Sequence, residues 1–401
     1  SNMSDILKNI SSQTLEQLTE TTDVLLHPRR QSITREESEV SEKEGIIVLL
    51  YKVILSLSLV PYRYDMYHVD VYGKKRTDLN IKGSLAVSLS RQISLYGIIR
   101  TVFLKRLESS SKALKKSIEK YQKRLALFEA ILLKENKIVS LGDIEDIEDE
   151  YMAEDGEQTE LDLEDPTVIK MIESRAQDVS DSSHNIVALK EDIISEKQVL
   201  IELLLLADTL DKDDTKISAY FEQVEKIRLS NPNAKILTFS FFADTVNLIQ
   251  EKVQQKKYFG DNANRHGFVS GKNKTGAVQN AKLFAPKAKK YDLKTGEAQI
   301  DYLVSTDVLA EGQNLQDCAI VINYDLHWNP VRMIQRNGRV NRLGSDHSLV
   351  QVINMIPHTQ VERFLRLHKT LQDKIEMIKA TIGTDSSILG EDANPLDFTG
   401  V

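Results

Sequence analysis

The sequence predicts an α/β protein: a parallel sheet covered by helices over residues 231–356, preceded by an α-helical region with a long antiparallel helical hairpin. Three observations carry that expectation. After Asn231, short apolar strands alternate with amphipathic helices across short loops, the mark of parallel strands joined by crossover helices. Upstream, two seams of apolar residues at coiled-coil spacing flank an acidic stretch. Finally, Gln335-Arg336-Asn337-Gly338-Arg339-Val340-Asn341-Arg342-Leu343-Gly344-Ser345 places its arginines three residues apart. At helical pitch they would share one face, and such a guanidinium comb needs an anion, for which a phosphate chain is well suited.

A chain of 401 residues, 41% hydrophobic, is long enough for two or three domains with real cores. It contains no run of eighteen apolar residues and no basic-then-apolar N-terminal signal, so neither a membrane span nor export is expected. The single cysteine, Cys318, cannot form an internal disulfide and fits a reducing cytoplasm. Ser1-Asn2 ahead of Met3 looks like an expression scar, so Met3 is expected to be a boundary inside a longer protein. The net charge of −8 owes much to one place: thirteen acidic residues and no Lys or Arg lie between Asp143 and Asp165. Without them the remainder is mildly basic, so the global charge does not exclude a nucleic-acid partner.

Taken in order, residues 4–26 read as a polar helix ended by His27-Pro28-Arg29-Arg30, and Ile46–Val60 as a buried helix stopped by Pro61. Residues 1–82 form a helical linker region, and 83–230 a helical insertion. Its first seam is Leu107, Leu114, Ile118, Tyr121, Leu125, Phe128 and Leu132, and its second Ile186, Leu189, Ile193, Leu200 and Leu203. The acidic tip between them, 142–166, reads as a solvated loop, because no calcium-loop spacing is present. The sheet domain, 231–356, has strands at Lys235–Ser240, Phe268–Val269, Ile300–Ser305, Ala319–Asn323 and Leu349–Met355. Helices are expected at Ala243–Val253, Ala277–Phe284 and Val331–Asn337, and residues 357–401 close the chain with a helix over Val361–Ile382.

In an open parallel sheet, ligands bind beyond the carboxyl ends of the strands. Ser270-Gly271, the run Ser305 to Leu315 and the arginine segment all fall there. The histidines and lone cysteine have no metal-ligand spacing, so no metal site is assigned. Trp328 reads as a packing residue or a base-stacking platform. The basic turn Lys74-Lys75-Arg76, like His27–Arg30, is either exposed ornament of the surface or a phosphate-tracking patch.

Ser305-Thr306-Asp307, with Glu311-Gly312 and Asn314-Leu315 after it, then Gln335-Arg336, Gly338-Arg339, Arg342 and Gly344, resembles the fifth and sixth motifs of superfamily-two helicases. The resemblance is nearest to their Swi/Snf-like and HepA-type branch. Phe239-Ser240 with Phe242-Ala243-Asp244-Thr245 resembles the fourth motif of that branch. Phe284-Ala285-Pro286, Asn323-Tyr324-Asp325 and Trp328-Asn329-Pro330 also match, and Lys105-Arg106-Leu107-Glu108-Ser109-Ser110 resembles the helical insertion of bacterial relatives. Departures from the pattern are Phe241 for a usual Gln, Asn314 for a frequent Asp, and Ser345 for a frequent Gln.

The resemblance implies a RecA-like C-terminal helicase lobe in an ATP-dependent translocase or helicase acting on DNA, double-stranded above all. It makes Arg339 and Arg342 arginine fingers and puts Gln335, Gly312 and Asn314 at the nucleotide. Arg336 stands open between nucleotide contact and ion pairing with Asp307, Glu311 or Asp325. Ser305, Thr306, Asp307, Ser270 and Gly271 become contacts to the nucleic-acid backbone. No phosphate-binding Gly-x-x-x-x-Gly-Lys-Ser/Thr loop and no Asp-Glu pair after a strand occurs. ATP with Mg2+ is therefore expected to be held mainly by a first lobe outside this sequence, and the chain alone to be inactive as an ATPase. The other class open to it is a non-catalytic helicase-like module that recruits a protein or DNA partner.

Overall fold

The computed structural model describes residues 42–74, 81–139, 171, 174–212, 214–255, 265–271, 274–309, 314–327, 330–340, 347 and 349–356. The helices expected over 4–26 and 361–382, the acidic tip 142–166, His27–Arg30, and Lys75 with Arg76 lie outside them. The chain divides into two compact units, residues 1–103 with 117–206, and 104–116 with 207–401.

In the first unit, helix α1 (Glu42–Ser56) buries Leu50, Tyr51, Val53 and Ile54. It stops short of the apolar run because Leu59 adopts the left-handed conformation, φ 50° and ψ 49°. That backbone is costly for a leucine. It aims two successive N–H groups, of Leu59 and Val60, at the buried Glu196 carboxylate, 2.5 and 2.9 Å away. Pro61 then sits in a short 3-10 turn, Val60–Tyr62.

The long run expected from residue 83 is two helices, α2 (Ser84–Ser109) and α3 (Ser111–Glu135). Ser110 interrupts it: its hydroxyl accepts the Ala113 N–H at 3.1 Å, as an N-cap does. A two-residue strand pair, β1 (Lys137–Ile138) and β2 (Gln177–Asp178), precedes α4 (Ile186–Lys212). Leu114, Ile118, Tyr121, Leu125, Phe128 and Leu132 of the first seam are buried, as are Leu189, Ile193, Leu200 and Leu203 of the second. α3 and α4 run antiparallel. Glu129 pairs with Lys197 in the first unit, and Lys115 with Asp208 and Ser111 with Asp211 in the second.

The second unit is built on a five-stranded parallel sheet of order β4-β5-β3-β6-β7. The strands are β3 (Ile236–Phe239), β4 (His266–Val269), β5 (Tyr302–Ser305), β6 (Ile320–Asn323) and β7 (Gln351–Asn354). Every residue of β3, β5 and β6 is buried, as both-face coverage requires. Alternation along the strand sends Ile236 to a core shared with α5 (Thr215–Ser230) and α6 (Ala243–Gln254), through Tyr220, Phe221, Val246 and Ile249. Leu237 and Phe239 face the opposite core with Ala277, Ala281 and Phe284 of α7 (Lys274–Phe284). Each large apolar side chain removed from water there contributes about 1.5–3 kcal/mol. At Gly267 a Cβ would come within 2.5 Å of Asn280 Oδ1, so glycine lets β4 lie against α7 without displacing that side chain. A short helix, α8 (Pro286–Lys289), and α9 (Pro330–Asn337) complete the unit. The register aligns Val269, Ser305, Phe239, Asn323 and Asn354 in one row at the carboxyl edge.

Candidate nucleotide and nucleic-acid site

α9 approaches that edge with Met333 and Arg336, three residues apart, turned inward and fully buried. Arg336 is clamped: Nε and Nη2 donate to the two Asp307 carboxylate oxygens at 2.6 and 2.9 Å, and Nη1 donates to the Asp325 carbonyl at 2.8 Å. Its guanidinium carbon also lies 5.4 Å from the Phe239 ring centroid. Of the two roles open to this arginine, the geometry displays the pairing.

Arg336 and Arg339 do not both continue one helix face as the spacing suggests. The helix ends at Asn337, and Gly338–Val340 form a turn in which the Arg339 N–H reaches the Arg336 carbonyl at 3.1 Å and Val340 the Asn337 carbonyl at 3.2 Å. Arg336 and Arg339 are bonded differently. Arg339 Nε donates to the Gln335 carbonyl at 3.2 Å, and its own carbonyl accepts the Leu315 N–H at 3.1 Å, which ties the turn to the segment beyond β5. Gln335 Oε1 and Asn337 Oδ1 are buried acceptors without a partner among the described residues. A ligand rich in N–H and O–H donors, as an adenosine is, would satisfy such atoms. Arg342, Gly312 and Trp328 lie outside the described residues, and Asn314 is exposed.

Beyond β5, Ser305 is fully buried and its hydroxyl donates to the Thr306 carbonyl at 2.7 Å. Thr306, half-buried, bonds through its N–H to the Val269 carbonyl at 3.0 Å. Asp307 is taken up by Arg336. After β4, Ser270 Oγ lies 3.4 Å from Asn247 Oδ1, and Gly271 is exposed with φ +72°, a conformation that favours glycine. Ser270, Gly271 and Thr306 therefore share one edge and reach its surface.

Another part of this edge gathers residues that the sequence offered only as separate motif matches, with Asp325 as one possible partner of Arg336. Asp325, at the end of β6, is 2% exposed. Its Oδ2 accepts from Ser240 Oγ at 2.5 Å, Ser109 Oγ at 2.9 Å and the Phe241 N–H at 3.0 Å. Its Oδ1 faces Lys216 Nζ at 3.3 Å, which also reaches Glu108 Oε1 at 2.5 Å. Burial alone would raise the Asp325 pKa; Lys216 and the three donors outweigh it and hold the carboxyl below its usual range. Burial pushes the Glu108 carboxyl up to about 7, against the attraction of Lys216. Ser109 and Ser110 also hydrogen-bond Thr245 Oγ1 at 2.7 and 2.8 Å, and Arg106 pairs with Asp244 at 2.9 Å. Nearby, Lys105 Nζ stands 5.1 Å from the Phe241 ring centroid, and burial lowers its pKa to about 8. The signal in the sequence was the density of serines and charges in Lys105–Ser111, which an isolated helix junction does not need.

Residues 219–344 match the family model of the helicase conserved C-terminal domain. This part of the chain is a helicase C-terminal domain. The matched stretch starts within α5 and takes in β3 through the arginine turn. The chain is 42% identical over 99 residues to YqhH, an uncharacterized ATP-dependent helicase of Bacillus subtilis, covering 24% of this chain and 17% of that protein. It is 36% identical over 93 residues to the ATP-dependent RNA helicase eIF4A of Candida glabrata, covering 23% and 22%. The chain thus matches about a fifth of the length of these curated relatives. Among solved structures, the C-terminal part of the Fun30 ATPase domain aligns with 82% of this chain and 85% of its own, at 16% identity and a TM-score of 0.35. Among the described residues around the helicase domain and within it, no helix is long and apolar enough to cross a membrane, and no cluster of three metal-ligating side chains occurs.

Proposed function

We propose that this chain supplies the C-terminal lobe of an ATP-dependent, Swi/Snf-like nucleic-acid translocase or helicase, working against a first lobe that holds most of ATP and Mg2+. The observation that carries the reading is the arginine turn. Arg339 is presented from a turn hydrogen-bonded both to α9 and to Leu315, next to acceptors of Gln335 and Asn337 that have no partner among the described residues. Arg339, and Arg342 after it, act as fingers that stabilise charge on the phosphates as the terminal phosphoryl bond breaks. Gln335, Gly312 and Asn314 contact the nucleoside. Arg336 serves the nucleotide indirectly, by fixing α9 against Asp307.

Thr306, Ser270 and Gly271 contact the nucleic-acid backbone, where hydroxyls and backbone N–H groups suit phosphate oxygens without reading sequence. Ser305 and Asp307 hold that segment in shape from beneath. Closure of the two lobes would advance this edge along the backbone and opening would release it. Double-stranded DNA is the substrate in this reading because the motifs resemble the Swi/Snf-like branch.

The test is Arg339→Ala in a polypeptide that includes the ATP-binding lobe, assayed for ATP hydrolysis stimulated by duplex DNA and, in parallel, by RNA. The expected result is a loss of about a thousandfold or more in stimulated turnover with nucleic-acid binding unchanged. Wild-type turnover in the variant would sink the finger assignment, and stimulation by RNA alone would overturn the choice of DNA.

A further inference from the structure

We propose that Asp325 is a positioning residue for the arginine turn and that the joint between α2 and α3 holds it in place, an inference that rests on the function proposed above. The two ends of Asp325 do different things. Its carboxylate is gripped by Ser109 of the joint, by Ser240 and the Phe241 N–H after β3, and by Lys216 of α5. Its backbone carbonyl accepts Nη1 of Arg336, and the Arg336 carbonyl in turn accepts the N–H of Arg339. Ser109, Asp325, Arg336 and Arg339 are thus linked by three successive hydrogen bonds of 2.9, 2.8 and 3.1 Å.

The joint itself is fixed. Ser109 and Ser110 share Thr245 Oγ1, Arg106 pairs with Asp244, and Lys216 accepts restraint from both the side chain and the carbonyl of Glu108. A buried carboxylate contributes little to stability that well-packed apolar residues could not match. Filling its acceptor sites with donors from three separate segments instead selects one geometry for the loop between β6 and α9. That loop sets where α9 begins and, through Arg336, where its terminal turn points.

The test uses the chain as it stands and follows amide hydrogen exchange at Gly338, Arg339 and Val340. Ser109→Ala removes one donor and leaves Ser240, Phe241 and Lys216 on the carboxylate. Exchange at the three turn amides should rise about tenfold, the equivalent of one charge-assisted hydrogen bond, while β3, β5 and β6 keep their protection. Ser109→Cys, of similar volume and with a weak donor, should lie between the two. Unchanged turn exchange in both variants would overturn the proposal, as would equal loosening of the whole sheet.

In a polypeptide carrying the ATP-binding lobe, Ser109→Ala should lower kcat with KM for ATP unchanged. If Arg339→Ala abolishes turnover but Ser109→Ala changes neither exchange nor kcat, the positioning role falls and the proposed function stands. If Arg339→Ala retains turnover, the proposed function falls, and the exchange data alone decide whether Asp325 positions the turn.

Discussion

Arg336 and Asp307 meet as a fork-to-fork pair, Nε to Oδ1 at 2.6 Å and Nη2 to Oδ2 at 2.9 Å, with no part of the arginine exposed. One residue comes from α9 and the other from the strand end of β5, so the pair closes the carboxyl edge of the sheet. Two parallel charge-assisted bonds fix angle as well as distance.

Breaking that pair should be expensive. Asp307→Ala leaves a buried guanidinium with the Asp325 carbonyl, Met333 Sδ and the Phe239 ring but no carboxylate among the described residues bonded to it, and should destabilise the domain by about 3–5 kcal/mol in chemical denaturation. Arg336→Lys should recover little of the stability lost in Arg336→Ala, because an ammonium cannot make both bonds at once. A lysine variant as stable as the parent would show that the fork geometry is unimportant.

Glu196 makes the stability of the first unit depend on pH. Burial raises its carboxyl to about 7 despite two backbone N–H donors, against an ordinary carboxyl value of 4.5. Between those values the folded protein holds a proton that the unfolded chain has released, so stability falls as pH rises through this window and levels off above it. Glu108 gives the second unit a slope of the same sign. Glu196→Gln should therefore reduce, without abolishing, the stability difference between about pH 5 and about pH 8 in denaturant titrations. An unaltered difference would remove Glu196 as its source.

Cys318 should be chemically silent while the domain is folded. It is fully buried, its Sγ lies 3.1 Å from both the Lys235 and the Ile320 carbonyl oxygens and can donate its one hydrogen to either, and burial pushes its thiol up to about 12. The reactive thiolate is therefore scarce as well as inaccessible. A colorimetric disulfide reagent should label it only in denaturant, at a rate set by unfolding; rapid labelling under native conditions would contradict this burial.

Gly267→Ala tests the packing of β4 on α7. The new methyl would stand 2.5 Å from Asn280 Oδ1 and 2.8 Å from Ile300 Cδ1. Asn280 can swing away only by giving up its 2.9 Å bond to the Gly276 carbonyl. Thermal unfolding should show a loss of about 1–3 kcal/mol, as overpacking usually costs. An equal or higher melting temperature would mean that this contact is loose.

Much of the fold was legible in the sequence. All five strands and the helices α6, α7 and α9 lie where alternation placed them, with boundaries moved by one to three residues at most ends. The two seams were visible because coiled-coil spacing is a local signal, and all their residues except the half-buried Ile186 are buried. Two breaks were not visible. The end of α1 depends on Leu59 yielding to the distant Glu196, and the interruption at Ser110 hid inside a continuous helical period.

The sequence by itself determined the residue types of the candidate site, their order and their arrival at the carboxyl ends of parallel strands, because those follow from patterns within a few residues. Tertiary structure decided what each of them does with its bonds. It turned Arg336 inward onto Asp307 and left Arg339 in a separate turn. It also buried the Ser305 hydroxyl and brought Ser109 and Lys216 onto Asp325, across 216 and 109 positions of chain. Spacing along a chain cannot encode such pairings, since which charge meets which is set by the fold that carries both to one place.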